Sequence, residues 1–173
     1  MKLYHGAPDP MIGHILVPLN QQKSAYPNLY KLHVAKYEGR EEILQRPIPL
    51  LDCSWNDVLQ FTPVHPQKVF KLQVELGLIP SVPPYKFFEV DSDLLDADKT
   101  VVFFKTAPGE ENTSVEWLRD VDPSSLQSIP ETTISYYKSL IGTGELPFNY
   151  QFVPHVTYMG NLDVSGLPVI TLE

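Results

Sequence analysis

The sequence predicts one mixed α+β domain, on three observations. Its 173 residues match the size of a single domain, long enough for one sizeable core and short for two. Apolar runs are short and are punctuated by 17 prolines, about twice the usual frequency, spread along the chain instead of gathered in a linker. Residues 58–77 read as a strand followed directly by a helix, so both element types are expected. The expected organisation is a single domain over residues 1–173, with the proline-rich stretch 80–84 as the best candidate hinge.

Taken in order, residues 2–5 and 14–19 are short, apolar and bounded by Gly, Pro or Asp, as strands are. Pro27 suits a first helical turn, and Leu29, Leu32 and Tyr37 supply a buried stripe up to Gly39. Residues 58–62 form a strand. Pro66 then opens a helix in which Val69, Leu72 and Leu76 recur at i, i+3 and i+7 before Gly77 stops it. Two β runs, 85–90 and 100–105, flank an acidic turn at 91–98 and read as a hairpin. Residues 115–121 alternate Val115, Trp117 and Arg119 on one face with Glu116, Leu118 and Asp120 on the other, the pattern of a strand. A helix over 131–141 turns Ile134, Tyr137 and Ile141 inward and ends at Gly142, and residues 148–158 and 169–172 are further β.

The charge balance narrows the function classes. With 21 acidic and 13 basic side chains the chain carries a formal charge of -8, which repels duplex nucleic acid unless a basic patch is gathered locally. The lone Cys53 can form no internal disulfide, which fits a reducing compartment and predicts a cytoplasmic location. No apolar stretch approaches the roughly 20 residues that span a bilayer, so a membrane partner is not expected. Glycine-rich phosphate loops and the Gly-x-Ser-x-Gly elbow are absent. The five histidines, at 5, 14, 33, 65 and 155, lack the i, i+4 spacing of a zinc helix, and no metal site is predicted.

Three segments carry a resemblance. Leu3-Tyr4-His5-Gly6 is similar to the opening strand of the ADP-ribosyltransferase superfamily of the diphtheria-toxin and poly(ADP-ribose) polymerase type, in which a Tyr-His-Gly or Trp-His-Gly tripeptide sets histidine against the nicotinamide ribose and carboxamide. The stretch beginning Val115-Glu116-Trp117 and running through Asp122-Pro123 to Leu126 resembles that superfamily's last core-strand signature. Val58-Leu59-Gln60-Phe61-Thr62-Pro63, followed by a helix, resembles its middle strand. The resemblance covers roughly residues 1–127 and implies a split, mostly antiparallel sheet core with a few short helices. It also implies transfer of ADP-ribose from NAD, as substrate, to an acceptor. Glu116 would be the catalytic glutamate, His5 an orienting donor, and Gly6, Gln60 and Thr62 part of the pocket. The family places an aromatic residue, or histidine in the RNA 2′-phosphotransferase relatives, where this chain has Gln60, so one face of the nicotinamide stack is missing. Lys2, Lys23, Lys36 and Arg40 are the nearest cations for a pyrophosphate.

Other constellations remain open beside this one. Trp55, Asp57 and His65 concentrate aromatic, carboxylate and imidazole groups at the ends of the strand-to-helix unit, where loop residues build ligand pockets. Their plainer roles are core filling for Trp55, backbone capping for Asp57 and a helix start at His65. Pro154-His155-Val156-Thr157 is similar to one of the two His-x-Thr strands of the 2H phosphoesterases, which need a second histidine as acid–base partner. His33 is the nearest mate but is followed by Val34 and Ala35 where a hydroxyl residue is needed. A non-catalytic ligand-binding or interaction module of the same fold is the second reading, and the phosphoesterase is the third.

Overall fold

Two antiparallel sheets meet at a single point and then diverge, and that divergence places the candidate site. The computed structural model describes residues 1–173, with the backbone alone at residue 110. Its strands are β1 (Lys2–Gly6), β2 (Ile15–Leu16), β3 (Pro47–Ile48), β4 (Cys53–Ser54), β5 (Leu59–Phe61), β6 (Lys86–Asp91), β7 (Thr100–Lys105), β8 (Thr113–Trp117), β9 (His155–Tyr158), β10 (Leu162–Asp163) and β11 (Val169–Thr171). Among them run the helices α1 (Leu19–Ala25), α2 (Pro27–Val34), α3 (Pro66–Glu75), α4 (Pro123–Leu126) and α5 (Glu131–Ser139). One sheet has three strands in the order β1-β6-β11, the other four in the order β5-β9-β7-β8, and every pairing in both is antiparallel. The short pairs β2 with β10 and β3 with β4 stand apart from them.

The sheets touch through one bridge, in which Tyr4 and Thr62 exchange backbone hydrogen bonds of 2.9 Å in both directions. Apolar residues from both sheets then close the core: Leu3, Phe88 and Val90 from one, with Leu59, Phe61, Val102 and Val156 from the other. Each alternates with outward or oppositely facing neighbours along its strand, the period-two pattern of pleated backbone. A second cluster gathers Tyr37, Ile48, Trp55, Val101 and Phe103 beneath the segment that holds α1 and α2.

Helix α3 follows its sequence signals closely. The His65 side chain accepts a hydrogen bond from the Gln67 N–H at 3.2 Å, Pro66 occupies the first turn, and Val69 and Phe70 are buried. At its end Leu78 N–H reaches the Gln73 carbonyl and Gly77 N–H the Val74 carbonyl, the paired bonds of a Schellman stop, with Gly77 at φ +71°. Gly77→Ala is therefore expected to cost about 1 kcal/mol from left-handed backbone strain, read as a lower urea midpoint at unchanged slope.

Several expectations are corrected. Residues 85–90 and 100–105 are no hairpin: β6 lies in the three-stranded sheet and β7 in the four-stranded one, and the acidic stretch between them carries the chain from one to the other. The helix from Pro27 forms, but Leu32 is 54% exposed and only Tyr37, in the following tight turn, is buried. Leu29 is half-buried, and α1, which periodicity did not mark, packs against α2. Of 14–19 only Ile15 and Leu16 pair, and Leu19 already begins α1. In α5 the inward residues are Thr133 and Tyr137, with Leu140 just beyond, while Ile141 is 53% exposed after the helix has ended. Of 148–158 only β9 is strand, and of 115–121 only residues up to Trp117 are. No helix among the described residues is long and apolar enough to cross a membrane.

Candidate functional site: a cationic cleft where the sheets part

Just past the Tyr4–Thr62 bridge, β1 leaves β5 and the His5 ring fills the gap. His5 Nδ1 donates to the Gln60 carbonyl at 2.7 Å, and the ring tilts against Phe61 at 5.3 Å between centroids. A side chain thus takes the place of the next ladder bond, and Nδ1 must carry the proton because a carbonyl only accepts. Next to β5 lies β9, with Phe61 opposite Val156, so His155 sits one position further on, beside Thr62. His155 meets the Trp55 ring edge-on at 5.3 Å, and the Val153 carbonyl accepts from its ring.

Trp55 forms the adjoining wall. It is 6% exposed, contacts Phe103 edge-on at 5.3 Å, and donates from Nε1 to the Tyr37 hydroxyl at 3.3 Å. The Arg46 guanidinium lies over both Trp55 and Phe103, 6.0 and 5.7 Å from their centroids. Lys36, in the turn after α2, lies against the Tyr37 ring at 5.1 Å.

Both imidazoles are half-buried, keeping some surface open to solvent while neighbouring atoms crowd them. Burial pushes His5 down to about 4; the Gln60 carbonyl works against this, and Lys36 and His33 add to it. Burial likewise pushes His155 down to about 4, opposed by the Val153 carbonyl and reinforced by Arg46 and Lys36. His33 is also lowered, by burial first and then by Lys36. Its orientation is fixed: Gln22 donates from Nε2 to the Val17 carbonyl, so its Oε1 accepts from His33 Nδ1 at 2.9 Å. Lys36 thus acts on three imidazoles, and the charges that act on His5 and His155 are cationic.

The other sequence candidates separate. Gln60 is in the cleft, its Nε2 tied to the Trp55 and Val58 carbonyls at 2.7 and 3.1 Å. Thr62 is buried and its hydroxyl is spent on Val64. Gly6 ends β1, opposite Phe87. Asp57 closes a capping box with Ser54 and accepts from Asn20; burial pushes its pKa up, but those hydrogen bonds outweigh it and the net shift is downward. His65 caps α3 and packs on Tyr4 at 4.8 Å, on the face of β1 away from His5. Glu116 is not brought to His5. It is exposed on the edge strand β8, opposite Val102, which is itself opposite Val156, so it shares their face and lies on the other side of the sheet from His155.

The sequence reading missed Arg46 altogether. Nothing in its Gln-Arg-Pro setting distinguishes it, and only the fold lays it over Trp55. Among the described residues no group of three or more His, Cys, Asp or Glu side chains could hold a metal ion.

No protein-family model matches the chain, and no curated protein matches it. Among solved structures, "Thermosipho africanus DarTG in complex with ADP-ribose" is similar at 10% identity and a TM-score of 0.44, over 99% of this chain and 44% of that one. The chain therefore spans less than half the length of that protein, and a likeness at this level fixes neither fold family nor function.

Proposed function

We propose that the cleft between the two sheets is a receptor for an anionic nucleotide of the ADP-ribose class, including the ADP-ribose part of NAD. The observation that carries this reading is that Lys36 acts on His5, His33 and His155 alike, with Arg46 acting on His155 as well, in a chain of net charge -8. Burial, and then Lys36 and Arg46, keep these imidazoles neutral, and a bound phosphate would offset the two positive charges and let the rings donate to it. Trp55 and Phe103 add an aromatic wall of the kind that holds a base or sugar. The ADP-ribose class rests on the Tyr4-His5-Gly6 resemblance, which implies a split antiparallel core, and two antiparallel sheets are compatible with it.

Binding is the favoured role over transfer of ADP-ribose from NAD. Transfer builds positive charge on the ribose, which a fixed carboxylate stabilises and surrounding cations oppose. Glu116, the candidate carboxylate, stands on the edge strand β8, three strands along the sheet from the β5 strand that His5 contacts.

Calorimetry of the full chain with ADP-ribose tests the reading. One molecule is expected to bind per chain, and Lys36→Glu is expected to weaken binding about 10- to 100-fold, the worth of a charge-assisted contact. Unchanged affinity in that variant, or no heat with ADP-ribose, AMP or NAD, removes the proposal. Nicotinamide release from NAD that disappears in Glu116→Gln would instead establish the transferase.

A further inference from the structure

We infer that β8 is a docking edge for a second copy of this chain, the two β8 strands pairing antiparallel about Val115 so that the two four-stranded sheets run on as one. Of the edges of the two main sheets, β1 and β5 meet at the Tyr4–Thr62 bridge and β11 is three residues long. The remaining edge is β8, five residues of Thr-Ser-Val-Glu-Trp, rich in strand formers and without the lysine, proline or bulge that blunts an exposed edge. The segment beside it does not complete the ladder, since Pro47 and Pro49 have no N–H to offer.

The ladder fixes which backbone groups of β8 are spent. Thr106 N–H bonds the Asn112 carbonyl at 3.0 Å at one end of the β7–β8 pairing, and Met159 N–H bonds the Lys99 carbonyl at 2.9 Å at one end of the β7–β9 pairing. By the alternation of antiparallel ladders, the even-numbered residues of β7 bond β8 and the odd-numbered ones bond β9. Ser114 and Glu116 therefore bond toward β7, while Val115 and Trp117 turn N–H and C=O to the open side.

The five residues complement themselves when read in opposite directions about Val115. Val115 meets Val115 of the second copy, and the two exchange a pair of backbone hydrogen bonds. Ser114 falls opposite Glu116 on both sides of the two-fold axis, a hydroxyl donor against a carboxylate. Trp117 falls opposite Thr113, on the face of the sheet that Phe103 and Val115 share. On that face a hollow of about 360 Å³ lies between β8 and Pro47, Pro49, Leu50 and Phe103, and the indole of the second copy reaches its lip. Slipping the pairing by two residues in either direction leaves three of the five paired, and one of those slips sets Glu116 against Glu116. Two five-residue strands make a small interface between chains of net charge -8, so the dimer is weak and salt, by screening the repulsion, strengthens it.

Sedimentation equilibrium of the full chain without nucleotide, from about 1 to about 500 µM, tests this edge independently of the cleft. A reversible dimer with Kd on the order of 10–100 µM is expected, tightening as salt rises. Val115→Pro removes the N–H aimed at the second copy while Ser114 and Glu116 keep the ladder to β7, so it should abolish the dimer and leave the circular dichroism of the monomer unchanged. Ser114→Lys and Ser114→Glu, both at an exposed position opposite Glu116 of the second copy, should respectively tighten and weaken the dimer about 5-fold. Neither asks anything new of the backbone, so this pair decides the matter if the proline variant fails to fold. A chain that stays monomeric at every concentration overturns the inference. So does a dimer that survives Val115→Pro or ignores the sign of the charge at residue 114, because it then forms through another surface.

Discussion

Replacing Trp55 with alanine is expected to lower the free energy of unfolding by about 3–5 kcal/mol, the range for deleting a large aromatic side chain from a packed core. Trp55 is 6% exposed in the cluster with Tyr37, Ile48, Val101 and Phe103, so its removal leaves a void that three separate elements line. It also strips the Tyr37 hydroxyl of its donor and the Arg46 guanidinium of one of its two rings. Urea denaturation followed by circular dichroism measures the loss, and Trp55→Phe, which keeps most of the volume, should lose well under half as much. If Trp55→Ala leaves stability unchanged and weakens only ligand binding, the residue is a stacking platform and its part in the core is misread.

The second large effect is on acid stability. His5 and His155 each protonate near 4 in the folded chain against 6.5 when unfolded. Above pH 6.5 both are neutral in either state and contribute no pH dependence. As pH falls from 6.5 toward 4 the unfolded chain takes up protons that the folded chain refuses, so stability drops across that window and levels off below it. Each ring accounts for on the order of 3 kcal/mol at the bottom of the window, and the pair for roughly half the stability of an ordinary domain. Urea midpoints at pH 7 and pH 4.5 measure this, with His5→Asn and His155→Gln each expected to flatten the slope. A saturating phosphate ligand should raise both pKa values and restore stability at pH 5. A flat profile in the wild-type chain would mean that the rings are solvated and the cleft is open water.

The elements legible in the sequence were those whose signals are local. The strand at β5 and the whole of α3 were marked by a proline, an apolar period and a glycine, and each signal acts on its own few residues. What the sequence hid was partnership. The chain returns after residue 140 to insert β9 between β5 and β7, which makes His155 the neighbour of the His5 region and leaves Glu116 on an edge. Antiparallel pairing across so long a separation has no spacing rule to betray it. His5 and Gln60 lay where the tripeptide and the β5 segment put them because those two strands are joined by their own backbones. His155 was conspicuous as a motif, but its nearest mate in the sequence, His33, lies on α2 and not on a strand.

The single bridge between Tyr4 and Thr62 has a mechanical consequence. Two amide hydrogen bonds and one imidazole are the polar clasp, above a shared apolar core, between seven strands that otherwise share no ladder. Deuterium uptake at the Tyr4 and Thr62 amides therefore times the parting of the two halves, while uptake further along either sheet times only local fraying. A molecule wedged beside His5 tightens or prises that clasp directly, so occupancy can be read from two amides without observing the occupant.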